Sequence, residues 1–243
     1  MTKGYGQFCP VAKAAEVICN RWTPLILREL MFGNQHFNAI ARGVPLMSRS
    51  LLAQRLRELE DAGVVSHSAD DTGTVHEYRL TPAGEALRPI IEQMGVWAQR
   101  WGRGRLEEQD LDDTLLMWGV QRRIKHAALP PRRVVLRFDF RGLRRGRVAQ
   151  RCWWLILDGD AVDLCLKDPG FEVDAVIAAD LGAFTRVWLG HTALQAALRA
   201  GDIAFAGPRE LTRQVPEWLY LNGELKYRMG IYVPGRELDE LLE

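Results

Sequence analysis

A chain of 243 residues, 47% hydrophobic and 26% charged, is long enough for one large domain or two ordinary ones and can bury a sizeable core. No apolar run reaches the ~18 residues of a membrane-spanning helix, and the N-terminus MTKGYGQFCP has no secretory pattern, so a cytoplasmic protein without a membrane partner is expected. The net charge of +1 hides a slight basic excess before Arg105, which is compatible with nucleic-acid binding and does not by itself establish it.

In chain order, Cys9-Pro10 and Thr23-Pro24 each place a capping residue before a proline suited to a first helical turn. Apolar residues then recur at helical spacing: Val11, Ala14, Ala15 and Ile18, followed by Leu27, Leu30 and Met31. Gly33-Asn34 ends the second helix. A short helix from Phe37 to Arg42 and a turn at Gly43-Val44-Pro45 lead to a longer helix, Arg49 to Ala62, capped by Ser48 and stopped by Gly63. Val64 to Ser68 and Val75 to Leu80 read as strands flanking turn residues Asp70 to Gly73, a β-hairpin. Thr81-Pro82 opens a further helix bearing Leu87, Ile90, Ile91, Met94, Trp97 and Trp101, with Pro89 expected to kink it.

The acidic stretch Leu106 to Asp113 is a connector, and the helix after it, with Leu115, Leu116 and Ile124, is expected to run until Pro130-Pro131. From Val134 the pattern becomes strands: VVLRFDF, RCWWLIL, AVDLCL and VDAVIAA. Two helices stopped by glycine (Leu181 to Gly190, Thr192 to Ala200), a short strand DIAFAG and a final helix from Pro208 to Leu219 follow. The fold class is therefore α+β, divided as residues 1–105, a helical connector 106–133 and a second domain 134–243. RCWWLIL is apolar on both alternating sets, so each face of its sheet needs cover, from helices or from the wall of a cavity. Trp153, Trp154, Phe184, Trp188 and Leu189 are the candidate lining, with core packing the alternative for each.

Projected at 100° per residue, the helix from Arg49 to Ala62 puts Leu52, Leu56 and Leu59 on one buried stripe, with Leu51 and Arg55 at its edge. The opposite face carries Ser50, Gln54 and Arg57, with Arg49 near the start. Gln pairs with adenine edges, Arg with guanine, and Ser with base or phosphate, which is what a recognition helix requires. A solvated polar face is the alternative for this helix alone; the order helix, tight turn, helix, hairpin, long helix favours DNA reading.

At these residues the chain resembles a known family. CPVAKAAEVICNRWTPLILREL, FNAI, LLAQRLRELEDAGVV and HEYRLTPAGEAL resemble the HxlR family, a winged-helix branch of the MarR-like bacterial regulators. The resemblance implies a winged helix-turn-helix domain acting as a homodimer on double-stranded DNA. It implies contacts from Ser48, Arg49, Ser50, Gln54, Arg55 and Arg57, and a wing touching backbone or minor groove through His67, Thr74 and His76. The wing tip is Asp70-Asp71-Thr72, where family members usually carry basic residues or prolines. The aromatic face of Ile90, Ile91, Met94, Trp97 and Trp101 must pack on the core, the second domain or another subunit, and the resemblance favours a dimer seam. Two-fold symmetry then implies a palindromic operator with half-sites about 10 bp apart or a multiple of it. Cys9, just ahead of a helix whose dipole favours thiolate, matches a position that serves some family members as a redox sensor; a simple cap is the alternative.

LLMWGVQRR, CLKDPGFEVDAVI, VWLG, LQAALRAGDIAFAGPREL and PEWL resemble a sterol-carrier-protein-2-like domain, an α/β sandwich with an apolar cavity. That resemblance covers about Val134 to Leu219, with a helical lead-in from Asp110, and implies a hydrophobic small-molecule effector. The basic loop Arg141 to Arg147 reads as a solvated hairpin, with contact to DNA or to an acidic ligand group the alternative.

Catalytic patterns are not found: there is no GxSxG, no HExxH and no phosphate loop. Four scattered cysteines and five scattered histidines show no metal-ligand or disulfide spacing, so no metal, no cofactor and no enzyme activity are expected. The expected function is a transcription regulator, a repressor rather than an activator. The alternative is a small-molecule or lipid carrier whose winged helix serves only for dimerisation.

Overall fold

The computed structural model describes residues 4–69, 76–101, 106–142 and 152–222. They form two compact units that divide after Trp97. In the first, four helices, α1 (Pro10–Ile18), α2 (Thr23–Met31), α3 (Phe37–Gly43) and α4 (Arg49–Asp61), precede a hairpin of β1 (Val65–Ala69) and β2 (His76–Leu80). A short α5 (Pro82–Glu85) follows, and a long α6 (Arg88–Trp101) begins in the first unit and runs past the division.

The predicted stripe Leu52, Leu56 and Leu59 is buried, and it packs in one core with Ile26, Leu27, Ile40 and Val65. Truncating any of these leucines to alanine removes about 2–5 kcal/mol. Ser48 caps α4 by accepting from the Leu51 N–H at 3.3 Å. Beyond α4, Gly63 takes φ +70°, and the Val64 N–H closes back on the Leu59 carbonyl at 2.9 Å. At the exit of β2, Thr81 accepts from Gly84 N–H (3.2 Å) and donates its hydroxyl to the Gly63 carbonyl (2.7 Å), tying hairpin to helix.

Local readings needed correction at α2 and at Pro89, while α1 forms as read but lies at the surface. The cap of α2 is Trp22, at φ 78°, and Thr23 lies inside the helix and is buried, so side-chain chemistry at Thr23-Pro24 did not mark the first turn. No residue of α1 is buried, although Val11 to Ile18 has helical apolar spacing; Val11 is 76% exposed. Pro89 does not kink a continuous helix: the chain breaks between α5 and α6, and Pro89 sits in the first turn of α6, where its missing N–H is no loss.

A buried carboxylate fastens the helix-turn-helix. Glu29 of α2, 1% exposed, accepts from Arg28 Nη2 (2.8 Å) and Nε (3.1 Å) and from Asn34 Nδ2 (2.6 Å). Arg28 also donates to the carbonyl of Gly43 at 3.1 Å, at the end of α3. A Cβ at position 43 would overlap the Glu29 carboxyl, so only glycine fits.

The second unit is built on a five-stranded sheet in the order β5-β4-β3-β6-β7: β3 (Val134–Arg141), β4 (Cys152–Asp158), β5 (Ala161–Cys165), β6 (Ala175–Asp180) and β7 (Ile203–Ala206). Only the β3–β6 pairing is parallel. Helices α7 (Asp113–Gln121), α8 (Leu181–Trp188), α9 (Leu194–Ala200) and α10 (Arg209–Trp218) complete it. The helix expected to run to Pro130 ends at Gln121, and a 3-10 turn, His126–Ala128, follows. Within 106–133, Leu116, Met117, Val120 and Ile124 enter the core of this unit. Trp153 Nε1 donates to Asp113 Oδ2 at 2.9 Å, pinning α7 to β4. Burial pushes the Asp113 carboxyl up, against the stabilising bond from Trp153.

Candidate nucleic-acid interface

The exposed side of α4 carries five of the predicted reading residues: Ser48, Arg49, Ser50, Gln54 and Arg57. Ser48 Oγ and Ser50 Oγ lie 3.2 Å apart at the helix start. Arg49 is held from α3: its Nη2 donates to Asn38 Oδ1 at 2.6 Å, and its guanidinium lies 5.0 Å from the centre of the Phe37 ring. Arg49 is exposed, so with one edge fixed it still has N–H groups to offer base or phosphate oxygens. Sequence reasoning singled out neither Asn38 nor Phe37 as partners. The available signal was the short helix ahead of the turn, whose first residues must lie against the start of α4. Gln54 Nε2 donates to Glu58 Oε1 at 2.9 Å, one turn along the helix.

Arg55 is corrected. Its side chain is only 14% exposed and pairs with Glu58. It lines a cleft of about 140 Å³ with Glu16, Val17 and Asn20 of the α1 region and Leu59 of α4. It therefore faces away from the reading surface. Burial works against the Glu58 carboxylate, but the hydrogen bonds from Arg55 and Gln54 hold its pKa below the ordinary range.

Behind the reading helix the wing is an antiparallel pair with His67 opposite Tyr78. His36 bridges to Glu77, and the Tyr78 N–H donates to the Gln35 carbonyl at 2.8 Å, so the hairpin is stitched to the α2–α3 connection. His67 and His76 are exposed; their Nε2 and Nδ1 atoms lie 3.0 Å apart, and the His67 ring stacks on Tyr78 at 4.6 Å. Arg79 pairs with Glu77 at 2.7 Å, bracing the strand. Thr74 and the acidic tip lie outside the described residues.

On α6 the aromatic face divides. Ile90, Met94, Trp97 and Trp101 are 43%, 49%, 65% and 67% exposed, at spacings that form one stripe. Ile91 is 7% exposed and belongs to the first unit's own core, so it is removed from the predicted seam. The N-terminal segment adds Tyr5, Phe8 and Val11 to the exposed apolar surface, Phe8 almost completely so. Cys9 is a half-buried free thiol at the N-cap of α1, with no side-chain capping bond.

Of the five residues predicted to line a cavity, four gather in one packed core and Trp154 lies on the opposite face of the sheet. Trp153, Phe184 and Trp188 are buried in the second unit's core, where Phe184 meets Phe138 and Phe140 edge-on at 5.9 and 5.6 Å. Gly119 admits the Trp188 ring where a Cβ would collide with it. Leu189 packs on the same core. Trp154, one residue on from Trp153, faces the other side of the sheet, opposite Arg137 of β3 and Cys165 of β5. Loop residues Arg144, Arg145 and Arg147 lie outside the described residues. Among the described residues no cluster of three metal-binding side chains occurs, and no helix is long and apolar enough to cross a membrane.

The first part of the chain has known relatives. Residues 17–105 match the family described as HxlR-like helix-turn-helix. The uncharacterized HTH-type transcriptional regulator YvaP of Bacillus subtilis (strain 168) is 38% identical over 97 residues, 39% of this chain and 90% of YvaP. The HTH-type transcriptional regulator YodB of the same organism is 34% identical over 95 residues, 38% of this chain and 85% of YodB. Among solved structures, the reduced form of YodB from B. subtilis is 33% identical and covers 39% of this chain and 95% of that one, with a TM-score of 0.35.

Proposed function

Because this chain belongs to the HxlR family of helix-turn-helix transcriptional regulators, we propose that it represses transcription as a homodimer that reads duplex DNA with α4. The observation that carries this reading is the exposed set Ser48, Arg49, Ser50, Gln54 and Arg57 on one side of a helix whose other side is locked into the core. α4 lies in the major groove, with Arg49 at its leading end, and His67 and His76 of the wing lie against the backbone. Two protomers join through Ile90, Met94, Trp97 and Trp101 of α6, which explains why so much aromatic surface stands in water on one protomer. The protein works in the cytoplasm, where its DNA lies, and catalyses no reaction.

In the same reading the second unit is a sterol-carrier-like module that takes a hydrophobic small molecule and changes operator affinity. Support comes from its half-exposed sheet face, where Trp154 of β4 and Val176 and Ala178 of β6 lie on either side of the Arg137–Asp139 ion pair of β3. Any such ligand acts only through different affinities for the DNA-bound and free forms. Cys9, a free thiol at a helix N-terminus, is the candidate redox input.

Selection from a randomised pool of DNA duplexes tests the regulator reading. The expected enrichment is a two-fold symmetric motif with half-sites about 10 bp apart or a multiple of it. A pool that stays random after selection, with lipid extracted from the purified protein, would establish the carrier reading instead.

A further inference from the structure

We propose that Glu58 is a positioning residue: it fixes which edge of Gln54 meets the DNA, so that one position in each half-site selects adenine over guanine. This rests on the DNA-reading role of α4 proposed above. Gln54 and Glu58 are one helical turn apart, and Gln54 Nε2 lies 2.9 Å from Glu58 Oε1. The other carboxylate oxygen accepts from Arg55 Nη1, whose side chain is held at 14% exposure in the cleft. Arg55 therefore holds Glu58 from behind, and Glu58 holds Gln54 on the outer face.

The chemistry of the pair decides the orientation of the carboxamide. An ionised carboxylate has no proton to give, so the amide must turn its nitrogen toward Glu58 and its carbonyl away. The reverse orientation would set two acceptors against each other. Hydrogen bonds and charge from Arg55, with the Gln54 bond, keep Glu58 ionised despite partial burial. One N–H is spent on Glu58, which leaves one N–H and one carbonyl oxygen to meet a base. In the major groove adenine offers one acceptor, N7, and one donor, N6–H, and matches this pair. Guanine offers two acceptors, N7 and O6, and would set the Gln54 carbonyl against one of them. Without Glu58 the terminal torsion of Gln54 is free to turn over, because it is broad and two-fold. Both N–H groups then become available, and guanine is accepted.

Affinity measurements on the highest-affinity selected duplex, with each A·T pair of a half-site exchanged in turn for G·C, test this. The wild type should lose roughly ten-fold or more at one such position. In Glu58→Ala that loss should shrink to less than roughly three-fold, while penalties at the other positions are retained. Glu58→Gln has a single acceptor oxygen for two donors, Arg55 and Gln54, and can offer N–H to Gln54 instead, so it should weaken the adenine preference in the same direction as Glu58→Ala. Gln54→Ala should abolish it at the same position, and adding Glu58→Ala should change nothing further there. Thermal melting of each variant separates misfolding from a change in reading. Full adenine preference in a folded Glu58→Ala variant would overturn the role of Glu58 and leave DNA reading by α4 standing. A wild type that discriminates at no position would overturn both.

Discussion

Replacing Met94 and Trp97 together by aspartate is expected to convert the protein from dimer to monomer and to lower operator affinity by roughly a hundred-fold or more. Trp97 and Met94 lie in the middle of the exposed stripe on α6, and neither supports the protomer's own core. A tryptophan buries roughly 150–250 Å² at an interface, which at about 25 cal/mol per Å² is on the order of 4–6 kcal/mol for each copy. An isologous interface uses the same patch twice, so each substitution acts twice, and two aspartates would bring like charges into an apolar seam. Once the protomers separate, the second half-site no longer benefits from the effective concentration that linkage supplies. Sedimentation at micromolar concentration, read with DNA binding, checks both effects. Ile91→Ala is the contrasting case: Ile91 is a core residue, so a fall in melting temperature is expected there rather than a change in assembly. A wild-type monomer, or a Met94/Trp97 double variant that remains dimeric, would remove α6 as the seam.

Gly43→Ala is expected to destabilise the first unit by about 3 kcal/mol, although it adds a single methyl group at the buried end of α3. The methyl would overlap the carboxyl of Glu29, which cannot retreat without giving up Arg28 and Asn34. A carboxylate with 1% exposure that loses its partners bears the cost of an unpaired buried charge. Arg28 is about a third exposed, so the lower end of the range for broken buried pairs applies. For a unit of this size the melting temperature should fall by on the order of 10 °C or more. Melting followed by circular dichroism measures it. A change below about 0.5 kcal/mol, the range of an ordinary surface substitution, would mean that the Glu29 cluster does not fasten α2 to α3.

The elements that were legible in the sequence are those whose signal is local and periodic. Leu52, Leu56 and Leu59 repeat at the helical period, Ser48 and Gly63 bracket the same helix, and all five take the expected positions. What was not legible depends on contacts between elements. Arg55 falls at the edge of the helical projection, where a rotation of a few tens of degrees decides between core and solvent; α1 and Glu58 decide it. Ile90 and Ile91 are neighbours in sequence and 100° apart on α6, so one belongs to the exposed stripe and the other to the core. Trp153 and Trp154 were grouped in one cavity although strand alternation sends them to opposite faces; the apolar character of both sets concealed the alternation. Asn38 was not singled out, because the short helix ahead of the turn marks only its neighbourhood and an exposed asparagine there looks solvated until Arg49 is seen to reach it. Glu29, next to Arg28 in the sequence, likewise reads as a solvated charge until its burial is seen.

The most direct test of DNA reading by α4 is the affinity of the purified protein for its selected duplex across a salt series, beside an Arg49→Ala/Gln54→Ala variant. Expected for the wild type is selective binding with a steep fall of log affinity against log salt. The variant should lose roughly ten-fold or more on the selected duplex, with a salt slope smaller by about one if Arg49 contacts phosphate. Equal wild-type affinity for the selected and a scrambled duplex, or a variant that binds and discriminates as the wild type does, would contradict it.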